Sequence, residues 1–141
     1  MGTRRILSVP SDPPRTERRH LGVLLIAGDH ARAHYAFVLA TGAAALGRDV
    51  TLFATQGGCH ALLADWSGLD GAARDAVLEA RGVAGLATLR EAAQELDVRM
   101  IICEAGLRGE GLERQALMAG VEIAGVATFL AAVGDGQFLS L

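Results

Sequence analysis

The sequence predicts an α/β fold: a three-layer α/β/α sandwich on a mainly parallel sheet of about five strands. Three observations carry the prediction. Apolar runs of strand length alternate with segments of helical spacing from residue 21 to residue 141, the pattern of βαβ units joined by right-handed crossovers. The first run, residues 21–27 (LGVLLIA), is apolar without interruption, as in strands buried on both faces of a parallel sheet. Capping residues stand where the chain changes state: Asp29 before the first helix and Gly47 after it.

Gly28 and Asp29 end the first strand. The first helix spans about residues 31–46, with Tyr35, Val38, Leu39 and Ala43 marking its apolar face. Residues 49–55 (DVTLFAT) form the second strand and residues 56–60 the loop after it. Residues 61–81 read as a variable insertion. Within it, residues 72–80 have helical character, but Trp66, Ser67, Gly68 and Gly71 interrupt the region. Residues 83–96 form an amphipathic helix, with Leu86, Leu89, Ala93 and Leu96 inward and Arg90, Glu91, Gln94 and Glu95 outward. The third strand, residues 98–103 (VRMIIC), ends at Cys103. A glycine-rich turn over residues 104–111 (EAGLRGEG) leads to a helix over residues 112–119. A short strand at 121–123, a helix at 126–133 and a last strand at 137–141 complete the order βαβ(α)αβαβαβ. No internal repeat is visible.

Composition sets the bounds. A chain of 141 residues, 51% of them hydrophobic, suits one domain with a real core. Residues 1–20 are set apart as an Arg/Pro-rich tail, expected to be disordered because Pro10, Pro13 and Pro14 prevent regular structure. Residues 21–141 form the single domain. Residues 1–19 carry +3 and the remainder −6. The tail lacks the apolar core of a signal peptide. No apolar run reaches the roughly 18–20 residues of a membrane span, so no membrane partner is expected. A net charge of −3, one Trp and one Tyr give no platform for nucleic acid. All thirteen basic residues are arginine, which excludes Schiff-base chemistry and a P-loop lysine. Two cysteines 44 positions apart, without a CxxC, indicate reduced thiols in a cytoplasm.

Cys103 closes a strand and opens a glycine-rich turn. In α/β proteins, chemistry collects where strands end and helices begin. Backbone N–H groups and the positive end of a helix dipole at such a place favour the thiolate, the reactive form. Gly106, Gly109 and Gly111 would keep the turn open, and Arg108 would hold an anionic sulfur group. The residues alone leave a second reading standing, in which Cys103 is a small apolar filler at a strand end. Cys59 lies in the loop after the second strand and could approach Cys103 as a resolving thiol, or have no special role. His30 and His34 share a helix face, and His60 neighbours Cys59. Their spacing matches no metal signature, so no metal is expected; His30 is the histidine placed to tune the Cys103 thiol. Gly106-x-x-Gly109-x-Gly111 is not a dinucleotide fingerprint, and neither GKS/T nor a Gly-x-Ser-x-Gly elbow occurs. No cofactor is expected.

Three segments carry a resemblance: residues 26–30 (IAGDH) running into 36–47 (AFVLATGAAALG), residues 50–55 (VTLFAT), and residues 96–130 from Leu96 through Cys103 to GVEIAGVATFL. Together they resemble the DsrE/DsrF-like sulfur-relay family, in a divergent branch sometimes labelled peroxiredoxin-like. The resemblance implies that Cys103 carries sulfane sulfur as a persulfide and passes it to a partner thiol, a sulfurtransferase-like activity without a cofactor. It implies donor and acceptor proteins of TusA-like or rhodanese-like type, and a homo-oligomer. Phe129, Leu130, Phe138 and Leu139 add apolar residues suited to self-association. Two alternatives stand beside it: a thiol redox protein, peroxidase-like or disulfide-exchanging, that uses Cys103 with Cys59, and a non-catalytic oligomeric subunit.

Overall fold

Alternate residues of one parallel sheet feed two unequal cores in the computed structural model, which describes residues 19–141. The strands are β1 (Leu21–Leu25), β2 (Val50–Ala54), β3 (Arg99–Cys103), β4 (Glu122–Ala124) and β5 (Gln137–Ser140). The helices are α1 (His30–Ala45), α2 (Arg74–Ala80), α3 (Leu86–Glu95), α4 (Glu104–Gly109) and α5 (Val126–Val133), with a 3₁₀ segment at Gln56–Leu62. The strand order is β4-β3-β2-β1-β5 and every neighbouring pair is parallel. The expected class and strand number are therefore found. The predicted tail lies outside the described residues up to Arg18. Arg19 Nη2 donates to Asp135 O and Gly136 O, both at 3.2 Å.

Strand order decides which helix covers which face. The chain adds strands outward from β1 to β4, then returns across the sheet to place β5 on the far side of β1. Successive right-handed crossovers in one direction put their helices on the same face; a return puts its helix on the other. Accordingly Phe37 of α1, Leu86 of α3 and Leu107 of α4 share the first core with Val23, Leu52 and Ile102. Among the described residues, α5 is the helix that covers the second face, where Phe129 and Val133 pack with Phe53, Ile101 and Cys103. Phe129 stacks on Phe53 with ring centroids 5.0 Å apart.

Several expected faces and boundaries shift. On α1 the buried stripe is Ala33, Ala36, Phe37 and Ala40, while Tyr35 is 53% exposed. Small alanines let the helix lie close to the sheet, and that contact outweighs side-chain hydrophobicity in choosing the face. α3 begins at Leu86, not Val83, and its Arg90 points inward with Leu86 and Ala93. The expected loop after β2 is wound into the 3₁₀ segment.

The largest correction follows β3. The glycine-rich stretch expected as an open turn is helix α4, and the helix expected over residues 112–119 is absent. Two local devices explain the shift. Glu104 and Arg108 pair across one turn at 2.6 Å, which supports a helix there. Gly111, at φ +69°, then ends it. Gly111 N donates to Arg108 O at 3.2 Å and Leu112 N to Leu107 O at 2.8 Å, the paired bonds of a Schellman stop. Beyond the stop the chain runs beside the exit of the 3₁₀ segment, with Ala64 N donating to Ala116 O and Met118 N to Leu62 O.

Candidate functional site

Cys103 is the last residue of β3 and the N-cap of α4. Its Sγ accepts from Gly106 N at 3.3 Å, so the sulfur takes the place an Asn, Asp or Ser oxygen commonly fills. The residue is 8% exposed. That corrects the expectation of an open turn: the first turn of α4 folds over the thiol. Around it on the second face stand Phe53, Ile101 and Ala124.

Cys59 sits in the 3₁₀ segment, in the first core and without exposure. Its thiol donates to Ala54 O at 3.8 Å. Burial pushes this thiol up to about 12, with Cys103 and Glu110 adding like-charge repulsion. Both cysteines are free, and one residue lies between them. Gly106 offers its N–H to Cys103, and a Cβ at Gly106 would stand 3.0 Å from Cys59 Sγ and 3.0 Å from Gln56 N. A glycine is therefore needed where α4 meets the 3₁₀ segment. A cavity of about 350 Å³ opens between Thr55 and Gln56 on one side and Ala105, Gly109 and Glu110 on the other.

The other sequence candidates are spread around this centre. Arg108 is exposed on α4 and paired to Glu104. His30 is fully buried at the start of α1, and its Nε2 is bonded to Asp75 Oδ1 at 2.7 Å. Asp75 Oδ1 also accepts from Leu86 N at 2.7 Å, so the Asp75 carboxylate joins α1, α2 and the first turn of α3. His34 stacks on His30 at 5.6 Å and bonds Ala84 O through Nε2. Sequence reasoning missed Asp75, because its partner His30 is 45 positions away. It also turned Arg90 outward, although Leu86, Arg90 and Ala93 stand at i, i+4 and i+7, a spacing that marks one helix face.

A five-stranded parallel sheet with a cysteine at the end of β3 defines an α/β protein with its thiol at a strand-to-helix junction. The chain belongs to the DsrE/DsrF-like family, whose model matches residues 21–140. Among curated proteins it is similar to YrkE of Bacillus subtilis, at 26% identity over 146 residues, covering 82% of this chain and 91% of that protein. It is similar to the sulfur carrier protein DsrE2 of Allochromatium vinosum, also at 26% identity, over 153 residues, covering 86% of this chain and 96% of that one. Among solved structures, the ychN protein from E. coli shares the fold at TM-score 0.58 and 17% identity, covering 88% of this chain and 99% of that one. MTH1491 from Methanobacterium thermoautotrophicum shares it at TM-score 0.58 and 16% identity, covering 87% and 99%.

Proposed function

We propose that this chain is a cytoplasmic sulfur carrier that holds sulfane sulfur on Cys103 as a persulfide. The observation that supports it most is the contrast between the two thiols. Cys103 caps a helix with a backbone donor on its sulfur, whereas Cys59 is sealed and held protonated at neutral pH. Family membership and the similarity to a protein named as a sulfur carrier support the same reading. Free cysteines suit a reducing compartment.

In this reading the Cys103 thiolate attacks the outer sulfur of a donor persulfide. The new S–S bond forms as the donor's S–S bond breaks, and the donor leaves as a thiolate. The acceptor thiolate then attacks the outer sulfur on Cys103 and regenerates the Cys103 thiolate. Donor and acceptor proteins of TusA-like or rhodanese-like type would supply the persulfide and the accepting thiol. Access requires the first turn of α4 to yield. Six residues make a marginal helix, and Gly106 inside it costs about 1 kcal/mol of helix stability. Arg108, once released from Glu104, stands on the same helix to receive an anionic donor. Cys59 and His30 do no chemistry here; they fasten the 3₁₀ segment and α1.

The test is intact mass measurement after incubating the reduced protein with a persulfide donor. The expected result is a gain of one sulfur atom that is absent in Cys103→Ser and retained in Cys59→Ser. No adduct on the parent, with a Cys59–Cys103 disulfide forming under peroxide instead, overturns this reading in favour of thiol redox chemistry. The reading includes self-association. Ile123, Val126, Leu130 and Phe138 are each at least 44% exposed, and apolar surface of this kind favours association with a further copy. Sedimentation that finds only monomer at micromolar concentration contradicts that part.

A further inference from the structure

Among the described residues, Arg90 is a buried cation without a paired anion. It is nine-tenths buried, yet among the described residues no carboxylate forms an ion pair with it. Its partners are two backbone carbonyls, both taken by Nη1: Leu63 O at 2.8 Å and Ala61 O at 3.4 Å. Nε and Nη2 have no protein acceptor among the described residues. They are not sealed away either, because the fully buried side-chain nitrogen left without a partner there is His30 Nδ1. Burial lowers the Arg90 pKa, but a guanidinium keeps its charge at neutral pH. A buried charge without a counterion is costly.

Arg90 lines a cavity of about 320 Å³ with Trp66, Glu91, Gln94, Leu117 and Met118. That size falls in the range of small-ligand sites. Trp66, Leu117 and Met118 give apolar walls. The Gln94 side-chain amide is held by donating to Ala119 O at 2.9 Å. The cavity shares no lining residue with the one beside α4, so the site is separate from Cys103 and goes beyond the sulfur-carrier reading.

We propose that this cavity binds a small organic monoanion, a carboxylate or sulfonate with a compact apolar body, with the Arg90 guanidinium as its anchor. The planar fork of free N–H groups matches a two-oxygen head. The apolar walls take the body, and the neighbouring Glu91 carboxylate disfavours polyanions such as phosphate esters.

Trp66 is the sole tryptophan and forms part of the wall, so its fluorescence reports occupancy directly. The reduced full chain is titrated with benzoate, benzenesulfonate and the neutral isostere benzamide. A saturable response to at least one anion is expected, with benzamide at least about tenfold weaker; the tighter anion names the head group. Arg90 also clamps Ala61 and Leu63, so its replacement risks the fold. Ala87 is exposed at the rim of the same cavity, so Ala87→Leu fills it from there and leaves the clamp intact. This variant is expected to unfold at the parent's temperature and to bind at least about tenfold more weakly. No saturable response to either anion, equal binding of benzamide, or parent-like binding by Ala87→Leu overturns the proposal.

Discussion

The two faces of the sheet hold their cysteines differently. The first face is covered by α1, α3 and α4 and seals Cys59 completely. Among the described residues the second is covered by α5, and Cys103 lies at its rim, where the first turn of α4 brings a backbone N–H to the sulfur. Gly106 donates to the Cys103 sulfur and leaves no room for a side chain against Cys59, so nearness to α4 does not distinguish them. Depth of cover does. A thick layer turns a thiol into core, and a thin layer leaves one at the edge of the sheet.

The largest expected effect breaks the thin layer. Phe129 is 1% exposed, stacks on Phe53 at 5.0 Å and meets Phe138 edge-on at 5.6 Å. Few other buried side chains share its core, so little can collapse into the space it would leave. Phe129→Ala is expected to lower the unfolding free energy by about 3–5 kcal/mol in urea titrations. A loss below about 1 kcal/mol would mean that the second face is not a core at all.

A smaller effect sharpens the contrast from the thick side. Burial pushes the Cys59 thiol from its ordinary 9.0 up to about 12. The folded state therefore keeps a proton that the unfolded chain releases. Its stability from this source is full below pH 9 and falls as pH rises toward 12, by on the order of 1 kcal/mol per pH unit. Cys59→Ala removes that slope. Urea midpoints measured across the alkaline range for parent and variant check it; parallel curves would show that Cys59 is not held in its protonated form by the fold.

Much of the fold was legible because its causes are local. The apolar run of β1, the Asp29 cap and the alternation of elements need no knowledge of distant contacts. Asp29 does accept from Arg32 N at 3.0 Å. The misread stretch after β3 shows the limit. Its glycines suggested openness, yet Gly106 is there for a close approach to Cys59 and Gln56, a contact between segments almost fifty positions apart. Gly111 was local information of the right kind, since a glycine at positive φ stops a helix, but it was read as a feature of a turn. The position of Cys103 at the end of its strand was legible in the same local way. The Asp75 link to His30 and Leu86 was not, because nothing in the spacing of helix α2 announces a partner in α1. Arg90 is a different case: its inward position was written in the stripe, and its charge argued against the stripe.

The return crossover has a consequence for assembly during synthesis. β1 to β4 leave the ribosome before α5 and β5, and the sheet they form has Phe53 and Ile101 bare on one side. Until the last strand slots in beside β1, the nascent domain presents an open edge and a greasy face together, the surfaces through which chains misassociate. Residues 126–141 act as a closing step, and the hazard lasts until they have emerged and packed.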